Sequence, residues 1–139
     1  MYEKKIAMGM ALLDEKLPGW EDQVDLERLA LNDCRRCVVG QLCGADDHTA
    51  YYKFWNQLQV WGILTYGEES PTSLDQACEY GFALPERTLC DDPLRLMYAN
   101  LTEEWRDAIL TRRAANEALA AELEAFPLAE VPELTGASV

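Results

Sequence analysis

Basic residues are scarce in this chain. His48 is the one histidine, and 12 lysines and arginines face 25 aspartates and glutamates, for a formal net charge of −13. Such a surface repels nucleic-acid phosphate and anionic lipid head groups, so direct nucleic-acid binding and membrane-surface binding are not expected. The scarcity is also local. From Cys37 to Glu86 only Lys53 is a lysine or arginine, and from Ala114 onward there is none.

Long apolar runs are lacking as well. No stretch approaches the roughly 18 apolar residues of a spanning helix. The run after Lys4 and Lys5 stops at Asp14 with no small-residue cleavage site behind it, which reads as a mature helix rather than a signal peptide. Gly40 and Gly44 lack the lysine and the glycine spacing of a phosphate-binding loop. Five cysteines without secretory features do not make a disulfide framework; they point to free thiols in a reducing, cytoplasmic setting.

What is present is helical periodicity in a chain of 139 residues, long enough for one domain with its own core. Ile6, Met10, Leu13 and Leu17 form one apolar stripe that Pro18-Gly19 ends. Asp25 heads a turn with Leu26, Leu29 and Leu31. Asn32 or Asp33 is placed to cap a helix through Leu42, with Gly44 as its stop. Asp46-Asp47 opens a segment striped by Tyr51, Phe54, Trp55 and Leu58 that ends near Gly62. Ile63 to Gly67 is β-prone but has no partner strand and reads as a connection. Pro71 starts a short helix closed by Gly81, and Ala83 to Pro93 reads as a loop. Asn100 and Glu103 suit the start of a last helix whose stripe runs Leu101, Trp105, Ile109, Ala115, Leu119, Leu123, Phe126. The expected fold is all-α: a compact single-domain bundle of about five or six helices over residues 1–126, with a long C-terminal helix, then an irregular tail or arm over 127–139. That long stripe could be buried within the domain or in a dimer, so the oligomeric state stays open.

Cys34, Cys37, Cys43 and His48 read C-x2-C-x5-C-x4-H, a possible set of zinc ligands. If Asp33 to Cys43 is one helix, a rotation of about 100° per residue leaves Cys34 and Cys37 about 60° apart and Cys43 roughly opposite Cys34. Those thiols then cannot share one ion, and Cys34, Val38 and Leu42 pack inward instead. The expectation is no cofactor. Structural zinc is the alternative, with Cys78 or Cys90 as replacement ligands. A thiol at that helix start beside Arg35 and Arg36 should have a lowered pKa, but a redox enzyme would also need a βαβ setting. The lone imidazole and the pairs Asp14-Glu15, Glu68-Glu69 and Asp91-Asp92 read as solvated surface, so no enzymatic activity is expected.

Tyr51, Tyr52, Trp55, Trp61 and Tyr66 crowd one short span, and Tyr and Trp are common interface anchors. With the neighbouring Asp46, Asp47, Glu68 and Glu69 they form the candidate partner-binding surface; the competing reading puts Phe54, Trp55 and Trp61 in the core.

The ordered motifs Ala11-Leu-Leu-Asp-Glu-Lys-Leu-Pro-Gly-Trp20, Val24-Asp-Leu, Cys37-Val-Val-Gly-Gln-Leu-Cys-Gly44, Glu79-Tyr-Gly-Phe82 and Leu101-Thr-Glu-Glu-Trp-Arg106 resemble a family of small acidic uncharacterised proteins encoded by actinobacteria and their phages. The resemblance spans about residues 6 to 113. It implies a compact, cytoplasmic, phage-associated protein, carries over no catalytic residue, and sets an aromatic or aliphatic residue at the position of Cys43. The first functional expectation is thus a non-catalytic interaction module that binds a host or phage protein. An acidic DNA mimic that inhibits a nucleic-acid-binding defence enzyme is the alternative, and a zinc-stabilised structural domain the third.

Overall fold

The structure, a computed structural model, describes residues 2–64, 71–84 and 92–125. The fold is all-α, with no strand among the described residues. Helix α1 covers Glu3–Lys16, α2 Val38–Leu42, α3 Ala50–Val60, α4 Pro71–Glu79 and α5 Asp92–Ala125, and a 3-10 turn, Trp20–Asp22, follows α1. No helix among these residues is long and apolar enough to cross a membrane. Phe126, the segment 127–139, Tyr66, Glu68, Glu69 and Cys90 lie outside the described residues.

The core is organised around Trp105 of α5, which is fully buried. Its indole N–H donates to the Gly81 carbonyl at 2.7 Å, which satisfies the one polar atom the ring brings inside. Phe82 stacks on it at 5.8 Å between centroids, and Trp20 meets it edge-on at 6.2 Å. Helix α1 supplies Ile6 and Leu13 to this centre, two of the four positions of its stripe. Gly9 lies on the same face, where a Cβ would stand 2.2 Å from the Tyr80 carbonyl oxygen and 3.1 Å from the Trp105 ring. Glycine is therefore what lets α1 lie against the end of α4 and the middle of α5 at once.

Residues 21–31 contain little regular structure and are tied to α5 by side chains. Arg113 donates to the carbonyls of Glu21 (2.8 Å) and Val24 (2.6 Å), and Arg106 donates to that of Leu26 (3.1 Å). Thr102, nearly buried, accepts from the Leu31 N–H at 3.0 Å and donates to the Tyr98 carbonyl at 2.8 Å. Val24, Leu29 and Leu31 are thereby held in the core. The arginines satisfy loop carbonyls that helix geometry cannot reach.

Two boundaries differ from expectation. The helix expected from Asn32 or Asp33 through Leu42 is confined to Val38–Leu42. Asp33 does cap, but it caps a turn: its carboxylate accepts from Arg35 N–H at 2.8 Å and its carbonyl from Cys37 N–H at 2.8 Å. The side chain competes with the helix for the backbone and wins locally. Asn100, expected at the start of the last helix, lies exposed inside α5, which begins at Asp92. Leu94, buried one turn in, and Met97 and Tyr98, packed against the core, anchor the extra turns. Pro93 falls in the first turn, where its missing N–H costs nothing.

At the other end, Leu101, Trp105 and Ile109 of the α5 stripe are fully buried, but every residue from Ala114 to Ala125 is exposed. Leu119 and Leu123 are 55% and 59% exposed. The stripe thus continues past the body of the domain into a solvent-facing arm of about 18 Å.

Candidate functional site

The α3 surface begins at its cap. The Asp47 carboxylate accepts from both the N–H and the hydroxyl of Thr49, the residue ahead of Ala50, and lies 3.8 Å from the Lys53 ammonium. Those Thr49 hydrogen bonds hold the Asp47 carboxyl below its ordinary pKa. Asp46 and His48 are exposed beside it.

From this turn a string of rings leads inward. Tyr52 is 73% exposed and meets Tyr51 edge-on at 5.5 Å between centroids. Tyr51, 41% exposed, meets Trp55 at 6.4 Å, and Trp55 meets Phe54 at 5.0 Å. Phe54 and Trp55 are each 5% exposed, so four rings join the surface to the core. Trp61 is also buried and packs on Phe82 at 6.5 Å. Trp55 and Trp61, expected among the partner-contacting residues, are core side chains: their large apolar rings are on the inward face of α3 and at its end, where burial is worth most. Tyr51, Tyr52, Asp46 and Asp47 are at the surface. Val60 is 67% exposed at the far end of the same helix, where helical rotation sets it roughly opposite Tyr51; a lone valine off the stripe carries no periodic signal in the sequence.

The Trp55 indole nitrogen is buried and finds no acceptor among the described residues. An unsatisfied donor of this kind costs about 1–3 kcal/mol.

The cysteine cluster is a capping device. Cys37 occupies the N-cap of α2, and its thiol sulfur accepts from the Gly40 N–H at 3.2 Å. The Cys43 thiol donates to the Gly40 carbonyl at 3.6 Å. A Cβ on Gly40 would fall 1.8 Å from the Cys34 carbonyl oxygen, so the turn carrying Cys34 folds directly onto the first turn of α2. The expected opposition of Cys34 and Cys43 across one helix is corrected here: Cys34 lies in the turns before α2, and helical rotation does not relate the two. For Cys37 the lowered thiol pKa expected at this helix start is corrected too. Burial drives the Cys37 thiol well above its ordinary pKa and outweighs the Gly40 hydrogen bond that opposes it. Desolvation of the thiolate exceeds what one N–H returns in a helix of five residues. Among the described residues no three His, Cys, Asp or Glu side chains are grouped to hold a metal ion.

No known family, characterised protein or solved structure matches this chain. At the start of α3 two adjacent tyrosines stand beside an acidic turn in which Asp47 holds Thr49. Tyrosine offers broad apolar contact and a hydroxyl at low conformational cost.

Proposed function

We propose that this chain is a small, acidic, non-catalytic interaction module, phage-associated and cytoplasmic, that docks on a host or phage protein through the α3 face. The observation that carries the reading is the ring string, in which the most exposed aromatic of the face, Tyr52, is braced by Tyr51 against the buried Trp55. An edge-on contact with a neighbouring ring restricts the rotamers of Tyr52 before binding, which lowers the entropic cost of using it as an anchor. The resemblance to actinobacterial and phage proteins supports the setting. Asp46 and Asp47 would steer a basic partner and add little affinity, since rim charges act mainly on the association rate.

The net charge of −13 favours a second reading, mimicry of nucleic-acid phosphate against a defence enzyme. The two separate by salt. Capture of partners from host lysate at about 50 and 200 mM salt should retain an apolar-anchored partner at both, and Tyr51→Ser with Tyr52→Ser should release it. A partner lost with salt alone and indifferent to the tyrosines supports mimicry. No partner at either salt rejects both.

A further inference from the structure

Helices α1 and α5 run side by side in the same direction: the Tyr2 N–H meets Glu104 near one end at 2.8 Å, and Asp14 meets Arg112 near the other at 2.7 Å. Between them is an open groove of about 550 Å³. Its floor is apolar, with Ile6, Ala7 and Met10 from α1 and Ala108 and Ala115 from α5. Three carboxylates stand along it, Glu3, Asp107 and Glu104, the last of which accepts from the Tyr2 N–H; among the described lining residues the one lysine or arginine is Arg112, which is held by both oxygens of Asp14. The α5 wall from Glu104 to Ala115 is about 16 Å long, three turns of helix.

We propose that this groove is a docking site for a basic amphipathic helix of a partner protein. A groove three turns long, with apolar residues on both walls at Ile6, Met10, Ala108 and Ala115, accepts side chains at helical spacing, the helix-in-groove mode of recognition. The alanines keep the floor shallow, so an incoming helix can lie close to both backbones. Charge selects the occupant. A second copy of the arm beyond Ala114, or the chain's own C-terminal residues, would bring Glu117, Glu122, Glu124, Glu130 and Glu133 and no lysine or arginine. Either would set carboxylates against carboxylates. A partner helix with lysine or arginine flanking its apolar face meets the rim with the opposite sign. The groove shares no residue with the α3 face, so each site can fail without the other.

The test uses the full chain and three fluorescein-labelled peptides of about 18 residues. One carries leucines at helical spacing with lysines elsewhere, the second has glutamates in place of the lysines, and the third scrambles the first so that no apolar face forms. Anisotropy at about 150 mM salt should show the amphipathic lysine peptide binding at least about tenfold more tightly than either control. Ala7→Trp, which fills the groove, and Asp107→Lys, which reverses a rim charge, should each weaken it about tenfold or more, while Tyr52→Ser leaves it unchanged. Both positions are exposed, and unchanged circular dichroism serves as the folding control. No binding, equal binding of the scrambled or glutamate peptide, or indifference to Ala7→Trp would overturn the proposal. So would a dimer in sedimentation that Ala7→Trp dissolves, because the occupant would then be a second copy.

Discussion

Cys37 performs the capping task for which serine, threonine, aspartate and asparagine are favoured, and it does so from a buried position. Removing its sulfur orphans the buried Gly40 N–H. Cys37→Ala should therefore cost about 1–2 kcal/mol in urea unfolding, and Cys37→Ser should recover most of it; equal losses in the two would show that the thiol fills space and does not cap. The same burial shields it chemically. With its pKa raised, and that of Cys78 pushed up to about 11, both should resist iodoacetamide in the folded protein near pH 8 and react readily after denaturation, as read by mass spectrometry. Little of this was legible beforehand. The C-x-x-C spacing announces that the two cysteines are close, and the apolar Val38 and Val39 announce burial, but which backbone donor the sulfur meets depends on where the helix begins. That was set by Asp33, whose side chain bonds the next turn and delays the helix to Val38. On α3 the spacing of Phe54, Trp55 and Leu58 located the inward face, yet the count of nearby rings pointed outward for Trp55 and Trp61. Proximity in sequence does not separate the two sides of a helix.

Among the elements, α5 shows how core contact overrides a local signal. Asn100-x-x-Glu103 has the form of a capping box, but Leu94, Met97 and Tyr98 have core to pack on, so the helix continues through the cap candidate. Its stripe was readable from Leu101 through Ile109; where the body of the domain stops beneath it was not, because an exposed Leu119 and a buried Ile109 have the same periodicity. Hydrogen exchange should divide α5 accordingly, with slow amides around 101–109 and exchange approaching that of a fraying helix over 114–125. Uniform protection would mean that something covers the arm. In α1 the sensitive position is Gly9. Alanine there gains about 1 kcal/mol of helix propensity, but its Cβ meets the Tyr80 carbonyl. Gly9→Ala should lose up to about 2 kcal/mol net, since overpacking against a backbone carbonyl costs about 1–3 kcal/mol, and thermal unfolding checks it.

For the molecule as a whole, acidity and cohesion meet at Asp14. Its carboxylate takes two hydrogen bonds from Arg112 and one from the Trp20 indole, and the first of these dominates in holding its pKa below the ordinary value. A depressed carboxylate pKa adds stability that is present above the unfolded value of about 3.9 and lost as pH falls through the folded one. Asp14 should therefore contribute a fall in thermal midpoint below about pH 4. Asp14→Asn should lower the midpoint at neutral pH and flatten that acid limb. An unchanged limb would assign the acid loss to other carboxylates.

The packing around Trp105 also makes the chain its own optical reporter. All four tryptophans are at most 7% exposed, and Trp20 and Trp105 sit edge to face. Native emission should be blue-shifted and scarcely quenched by iodide, with a near-ultraviolet dichroism band from the coupled indoles. That band should vanish if side-chain packing loosens while the helices persist.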